Sequence, residues 1–367
     1  MHYLDANATQ PLRREARAAI VDALEVTGNP SSVHRPGRAA RRRLEDAREA
    51  LAAQFGVKAE GVVFTSGGTE ADAMAIHALS LDRRLVVSAI EHDAVSAAGR
   101  DPILLPVRAD GVADLAALEA LLGDHVPSMV CLMLANNETG VVQPVVEAAS
   151  ICRRHGALLH VDAVQAAGRI SVDLPALGAH SLAISSHKLG GPAGIGALLL
   201  AEGAPFAAPL IGGGGQERGR RGGTPSVALA AGFAAAAVAA MADDLDHLAA
   251  LRDAAEQAAV ACGAVVCGTR GSRLPNTTCL ALPGVRADAQ VIALDLERVA
   301  VSAGAACSSG KVASSHVLLA MGLGPLAGQA IRVSLPWNAA RADIDAFAAG
   351  YARVADRLRP ALVTRAA

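Results

Sequence analysis

Leu182-Ala183-Ile184-Ser185-Ser186-His187-Lys188, followed by the glycine-rich run Leu189 to Gly196, decides how the rest of the chain is read. The three apolar residues read as a short buried strand, and the lysine stands where that strand ends. Hydroxyls and an imidazole surround it. Burial disfavours the ammonium form, so a lysine in this position has its pKa lowered and its amine freed as a nucleophile or Schiff-base former. A solvated loop lysine is the plainer reading, and what overturns it is the company this lysine keeps elsewhere.

Working outward, five further short runs have the same apolar character: Val62–Phe64, Leu85–Val87, Ile103–Leu105, Met129–Leu132 and Leu158–Val161. Helical patterns separate most of them, among them Glu70–Leu79, Leu115–Leu122 and Val145–His155. Apolar strands alternating with amphipathic helices predict an α/β fold with a mainly parallel sheet covered by helices on both faces. In such sheets ligands sit outside the carboxyl ends of the strands. The chemically interesting residues fall at those ends.

Upstream, Leu12–Val26 is a helical pattern stopped by Gly28-Asn29-Pro30, and Gly28–Gly37 reads as a loop. A helix over about Arg38–Phe55 has Arg41 and Glu45 at i,i+4 on its outer face, a solvated pairing in a surface charge run. Downstream of Gly212–Gly215 the pattern changes. A long helical region, about Ser226–Val260, leads into sparser strands at Val265-Val266, Thr277–Leu282 and Ile331–Leu335, with helices over Ala287–Arg298 and Ala342–Leu358. The chain is therefore divided into a large domain, residues 13–247, and a small α+β domain made of residues 1–12 and 248–367.

Length and composition agree with two units: 367 residues, 52% of them hydrophobic. A net charge of −2 argues against nucleic acid or an anionic membrane surface as main partner, and so for a small substrate. The Ala-rich stretch Val227–Ala242 falls short of the roughly 20 residues a membrane span needs. No secretory leader is recognisable at Met1–Asp5, and the cysteines at 131, 152, 262, 267, 279 and 307 lack metal-ligand spacing, so reduced thiols and a cytoplasmic location are expected.

Thr65-Ser66-Gly67-Gly68-Thr69-Glu70 follows a strand and opens a helix. Small residues there let backbone N–H groups and the helix dipole approach a phosphate, although a plain helix cap explains the same letters. The stretch has no lysine of a nucleoside-triphosphate loop. Asp162 ends the strand Leu158–Val161, where an acid can cap a helix, ligate magnesium or pair with a protonated ring nitrogen. Glu91-His92 follows the strand Leu85–Ile90, and Asn136-Asn137-Glu138 follows Met129–Leu134. With aromatics at only 2%, an imidazole is a candidate flat face for a cofactor ring.

Phosphate donors, a strand-end lysine, an upstream acid and a histidine together are what pyridoxal 5'-phosphate requires. The chain resembles the cysteine desulfurases of the NifS/IscS type, in the class V aminotransferase group of pyridoxal-phosphate enzymes. The resemblance runs from Tyr3-Leu4-Asp5 through Gly28–His34, Phe64–Glu70, Glu91-His92, Asn136–Glu138, His160–Asp162, Ser185–Lys188, Arg221–Thr224 and Pro275–Thr277 to Ala306–Gly310. It implies the type I aminotransferase fold and a homodimer.

By that resemblance Lys188 joins the cofactor covalently and later moves the substrate Cα proton, Asp162 pairs with the pyridine nitrogen, and Gln165 bonds the ring oxygen. His92 stacks on the ring and is catalytic. Gly68, Thr69, Ser185 and His187 hold the phosphate, with Thr224 from the neighbouring subunit. Asn137, beside the cofactor, and Arg332 bind the substrate carboxylate; the arginine fork suits a carboxylate's two oxygens. Cys307, in the small-residue run Ser302–Gly310, attacks the sulfur of L-cysteine and carries it as a persulfide to an acceptor protein such as an iron–sulfur scaffold. No resident metal is implied, Cys307 touching a nascent iron–sulfur cluster only in passing, and neither a membrane nor a direct nucleic-acid partner is expected.

Gln10 and Ala73 depart from the family's usual Thr and Asn, and neither removes a catalytic group. Two alternatives remain open at this point. A selenocysteine lyase or another class V lyase or aminotransferase would not need Cys307 to turn over its substrate. A catalytically silent scaffold of the same fold would bind no cofactor.

Overall fold

The computed structural model describes residues 1–268, 272–304 and 314–358. In chain order the strands are β1 (His2–Tyr3), β2 (Val62–Thr65), β3 (Arg84–Ser88), β4 (Ile103–Leu105), β5 (Ser128–Cys131), β6 (Leu158–Asp162), β7 (Ser181–Ser185), β8 (Gly196–Leu200), β9 (Val265–Cys267), β10 (Thr277–Ala281), β11 (Val299–Ala300), β12 (Ser302–Ala303) and β13 (Ala330–Ser334). The helices are α1 (Arg14–Leu24), α2 (Arg35–Gln54), α3 (Gly68–Leu79), α4 (Asp93–Ser96), α5 (Leu115–Leu122), α6 (Val145–Arg154), α7 (Leu174–Leu177), α8 (Val227–Ala239), α9 (Leu245–Ala261), α10 (Ala287–Leu296), α11 (His316–Ala320) and α12 (Arg341–Leu358).

Seven strands form the central sheet in the order β2-β8-β7-β6-β5-β3-β4. All pair in parallel except β8, which runs antiparallel to both β2 and β7. Alternate residues explain the burial on both faces. Val86, Val130, Leu159, Val161, Leu182 and Ile184 face one apolar layer, which α2, α5, α6 and α8 complete. Val87, Met129, Cys131, Leu158 and Ala183 face the other, closed by α3.

A second core gathers Leu4 with residues of α9, α10 and α12 and of β10, β11 and β13. Its sheet is antiparallel, in the order β12-β13-β10-β9. The N-terminal segment belongs with it: β1 pairs in parallel with β11, and Asp5 bridges to Ser334.

Four expectations need correction. Strand β8 was hidden behind the glycine run, whose Gly190 and Gly194 take positive φ angles that let the chain fold back on β7. The loop expected to reach Gly37 ends earlier, because His34 caps α2 through its Nδ1 and Pro36 sits in the first turn. Arg41 does not pair with Glu45; it donates to the Pro30 carbonyl at 2.7 Å. Glu45 pairs instead with Arg48, which is buried and also grips Glu217 at 2.7 and 2.8 Å. The long helical region is two elements, with a 77° bend between Val227–Ala242 and Leu245–Ala261. Asp244 accepts from His247 N at the new N-terminus and so restarts the helix. Among the described residues no single helix is long and apolar enough to cross a membrane.

Candidate active site

Because β2, β3, β5, β6 and β7 share one direction, their carboxyl ends open on the same side, and a cavity of ≈ 240 Å³ lies there. Every residue expected to hold the cofactor lines it except Thr224: Gly68, Thr69, His92, Asn137, Asp162, Gln165, Ser185, His187 and Lys188. Thr224 is exposed on the same chain, in the segment before α8. Arg332 does not line the cavity and lies on β13. Cys307 lies outside the described residues, but the chain on either side of it meets one group. A Cβ on Gly304 would come within 2.4 Å of Glu138 Oε2, and Ser315 donates to that oxygen at 2.6 Å.

On one side of the cavity, α3 begins at Gly68. A Cβ there would stand 2.7 Å from Val164 and 3.5 Å from Ser185, so glycine lets the helix start pack this close to the segments after β6 and at the end of β7, with its N-terminal amides beside the cavity. Glu70 folds back to accept from Ser66 N at 2.7 Å and is gripped by Arg221 at 2.8 and 3.1 Å. The first turn is thereby braced without spending the amides of Gly68 and Thr69. His187 is half-buried, its Nδ1 3.2 Å from Thr9 Oγ1. Burial, with Lys188 and Arg169 nearby, pushes its pKa down to about 4, so the imidazole is neutral at pH 7.

Lys188 follows β7 in a single turn of 3₁₀ helix. Its Nζ donates to the backbone oxygens of Asn7 and, at 2.9 Å, Ala8. Burial first, then Arg169 and Arg332, push its pKa down to about 7, against the opposing pull of Asp5 and Asp162. The lysine has carbonyl acceptors and no carboxylate partner, which leaves its amine readily neutral.

Asp162, 7% exposed at the end of β6, accepts from Val164 N at 2.8 Å through Oδ1. Its other oxygen makes no hydrogen bond among the described residues. Burial raises its pKa, while the Val164 amide, His92 and Lys188 pull it down. His92 is exposed and caps α4, its Nδ1 accepting from Ala94 N at 3.1 Å, which fixes the ring at the cavity mouth. Gln165 is less free than expected: its Nε2 donates to the Asn7 oxygen at 3.1 Å and its Oε1 accepts from Arg169.

Arg332 is buried and already paired. Its Nη2 reaches Asp5 Oδ1 at 2.7 Å and its Nη1 the Asn137 oxygen at 3.2 Å. Its Nε is buried and has no partner among the described residues. The Asn137 carbonyl also accepts from Asn7 Nδ2 at 3.0 Å, so Asn7 ties the lysine, the glutamine and the arginine to one segment.

Sequence reasoning missed four contributors. Asp5 ends the matched stretch Tyr3-Leu4-Asp5 without a role given to it, and Asn7 lies just beyond. Arg169, held by the Gln165, Ala6 and Lys188 carbonyls, sits in an alanine run that reads as plain core. Asp72 lines the cavity from α3, and its i,i+4 offset from Gly68 was the available signal.

Comparison with known proteins places nearly the whole chain in one family. Residues 2–347 match the family described as aminotransferase class-V. A cysteine desulfurase of Cereibacter sphaeroides is 43% identical, over 97% of this chain and 96% of its own length. An IscS-like cysteine desulfurase of Mycobacterium tuberculosis is 37% identical over 94% of each. Among solved structures, a NifS-like protein from Rickettsia africae superposes with a TM-score of 0.89 at 33% identity, covering 97% of this chain and 99% of that one. SspA in complex with cysteine gives a TM-score of 0.80 at 27% identity, over 92% and 99%.

Proposed function

The chain belongs to the class V aminotransferase family, and from that premise we propose how its residues carry out the conversion of L-cysteine to L-alanine as a pyridoxal-phosphate-dependent cysteine desulfurase. The residues present fit the cofactor. A helix start beside the cavity at Gly68 suits a phosphate, an acid with an uncommitted oxygen suits a ring nitrogen, and a lysine with pKa near 7 suits an aldehyde. The observation that carries the reading is that one small cavity receives all three from separate strand ends.

When bound, pyridoxal phosphate supplies an electron sink for the charge left on the substrate Cα. Gly68 and Thr69 amides, Ser185 and neutral His187 hold the phosphate as hydrogen-bond donors. Asp162 holds a proton at the ring nitrogen, Gln165 offers its remaining Nε2 proton to the ring oxygen, and His92 covers the open face. Lys188 Nζ anchors the group and takes the proton from the substrate Cα. Arg332 and Asn137 bind the substrate carboxylate, which requires the arginine to share or surrender its contact with Asp5. The Cys307 thiolate attacks the substrate sulfur: a new S–S bond forms as the Cβ–S bond breaks, the electron pair stays with Cβ and takes a proton, and Lys188 Nζ returns a proton to Cα, leaving a persulfide on Cys307 and L-alanine.

The same reading has Thr224 complete the phosphate site of a second copy in a homodimer, residues 13–247 as the cofactor domain, and residues 1–12 with 248–367 as the small domain bearing Cys307 and Arg332. It also has a cytoplasmic location and an acceptor protein that takes the persulfide for iron–sulfur or other thio-cofactor assembly. The test is cysteine-dependent alanine release by wild type and Cys307→Ala. The substitution should abolish alanine and sulfide formation while the cofactor's visible band persists; retained turnover would favour a lyase that dispenses with this thiol.

A further inference from the structure

Asp72 has no part in the chemistry above, yet it is one of the most costly groups in the fold. It is 1% exposed on α3, one helical turn beyond Gly68, and it faces the same cavity as Asp162. A buried carboxyl needs a partner. Its Oδ1 lies 3.1 Å from Nε2 of His160, itself fully buried, and His160 Nδ1 lies 2.8 Å from Ser181 Oγ. His160 and Ser181 are register partners on β6 and β7, and His160 and Asp162, two apart on β6, share a face of the sheet. The second oxygen of Asp72 has no hydrogen bond among the described residues.

The surroundings offer Asp72 no cation of its own. From β6 it faces His160 and Asp162, from the turn before α4 it faces Glu91, and from β5 the Cys131 thiol. Strands β2, β7 and β8 bring no ionisable side chain to it, and on its own helix Glu70 is taken by Arg221 while His77 lies further along. Glu91 repeats the pattern, with Oε1 accepting from Met133 N at 2.6 Å and Oε2 buried without a partner. Burial raises all three carboxyls, and the charge of Asp162 adds to the rise at Asp72 and Glu91. Lys188 and His92 pull against that rise at Asp162. The floor of the cavity is therefore richer in acid than one ring nitrogen requires.

We propose that Asp72 is a positioning residue of the cofactor site: held by the His160–Ser181 chain, it backs Asp162 and helps keep the ring nitrogen of the bound cofactor protonated. This rests on the reading of Asp162 given above. Hydrogen-bond partners assign two complete states to the chain. With Asp72 ionised, His160 Nε2–H donates to it and Ser181 O–H donates to Nδ1. With Asp72 protonated, its O–H donates to Nε2 and Nδ1–H donates to Ser181 Oγ. Both states keep the Asp72–His160 and His160–Ser181 hydrogen bonds, so Asp72 can keep its proton without a cation before it and release it when one arrives. A second negative charge near the ring nitrogen then raises that nitrogen's pKa.

The test uses holoprotein reconstituted with pyridoxal phosphate carrying ¹⁵N in the ring, whose resonance reports directly whether that nitrogen is protonated. Asp72→Asn keeps the size of the side chain and its acceptor for His160 but removes the charge. The midpoint at which the ring nitrogen loses its proton should fall by roughly one pH unit relative to wild type. His160→Gln, which keeps the charge and loosens its holder, should shift the midpoint in the same direction by less and speed cofactor loss on dialysis. A ring-nitrogen titration that superposes on wild type in Asp72→Asn overturns the proposal. So does an unchanged titration and cofactor release in His160→Gln, should the first variant not fold. Asp162→Asn separates the two readings: if it too leaves the signal unmoved, the assignment of Asp162 itself fails.

Discussion

The two sides of the cavity differ in how their polar groups are engaged. On the large-sheet side, Lys188 and Asp162 stand at the ends of neighbouring strands and hold only backbone partners: the Asn7 and Ala8 carbonyls, and the Val164 amide. On the side of the antiparallel sheet, Arg332 is ion-paired with Asp5 and also bonded to the Asn137 carbonyl. Backbone groups fix the geometry of a side chain without neutralising it, whereas a carboxylate satisfies an arginine's charge. The cofactor side is thus ready-made, and the substrate side must exchange one carboxylate for another.

If that contrast is right, removing Arg332 should hurt substrate handling and spare the cofactor. Arg332→Ala is expected to lower kcat/KM for cysteine about 10- to 100-fold, as loss of hydrogen bonds between charged groups does. The visible spectrum of the holoprotein should be unchanged. A variant that loses its cofactor instead would erase the distinction between the two sides.

The pH dependence of cofactor loading sharpens the other half. The free amine is the reacting form, and Lys188 is pushed down to about 7. Loading of the cofactor-free protein should therefore slow about tenfold for each pH unit below 7 and level off above it, where an ordinary lysine would keep gaining toward pH 10. Stopped-flow absorbance between pH 5 and 9 reads this directly.

The smallest effect is the most diagnostic of the exchange itself. Asp5→Asn removes the internal competitor for Arg332, so the KM for cysteine should fall a few-fold, in line with a weakened charge-assisted bond. A KM that rises would mean that Asp5 orients the arginine more than it competes for it.

Much of the cofactor side is legible in sequence because it depends on local rules. A short apolar strand places the residues at and just beyond its carboxyl end on one side of the sheet, and Asp162, Lys188 and Gly68 all stand there. The rest depends on contacts between distant segments. Arg48 and Arg41 sit in one charge run, yet the first is buried against Glu217 and the second caps a loop carbonyl; nothing in their spacing separates them. The pairing of Arg332 with Asp5 spans nearly the whole chain, and Arg169 lies among alanines that predict only core. Strand β8 was missed because its glycine-rich approach reads as loop and its last residues, Leu198–Leu200, carry no alternation. Asn7 was passed over because Lys188 and Gln165 meet its backbone carbonyl, which any residue type can offer, and its side chain meets Asn137 only once distant segments come together.

The account stands on Lys188 as the covalent anchor, and the chain makes that easy to check, for its lysines are Lys58, Lys188 and Lys311. Holoprotein reduced with borohydride, digested and analysed by mass spectrometry should carry the pyridoxyl group on the peptide containing Lys188. Label on the exposed Lys58 or on Lys311, or no label in a protein that shows the visible band, would contradict it.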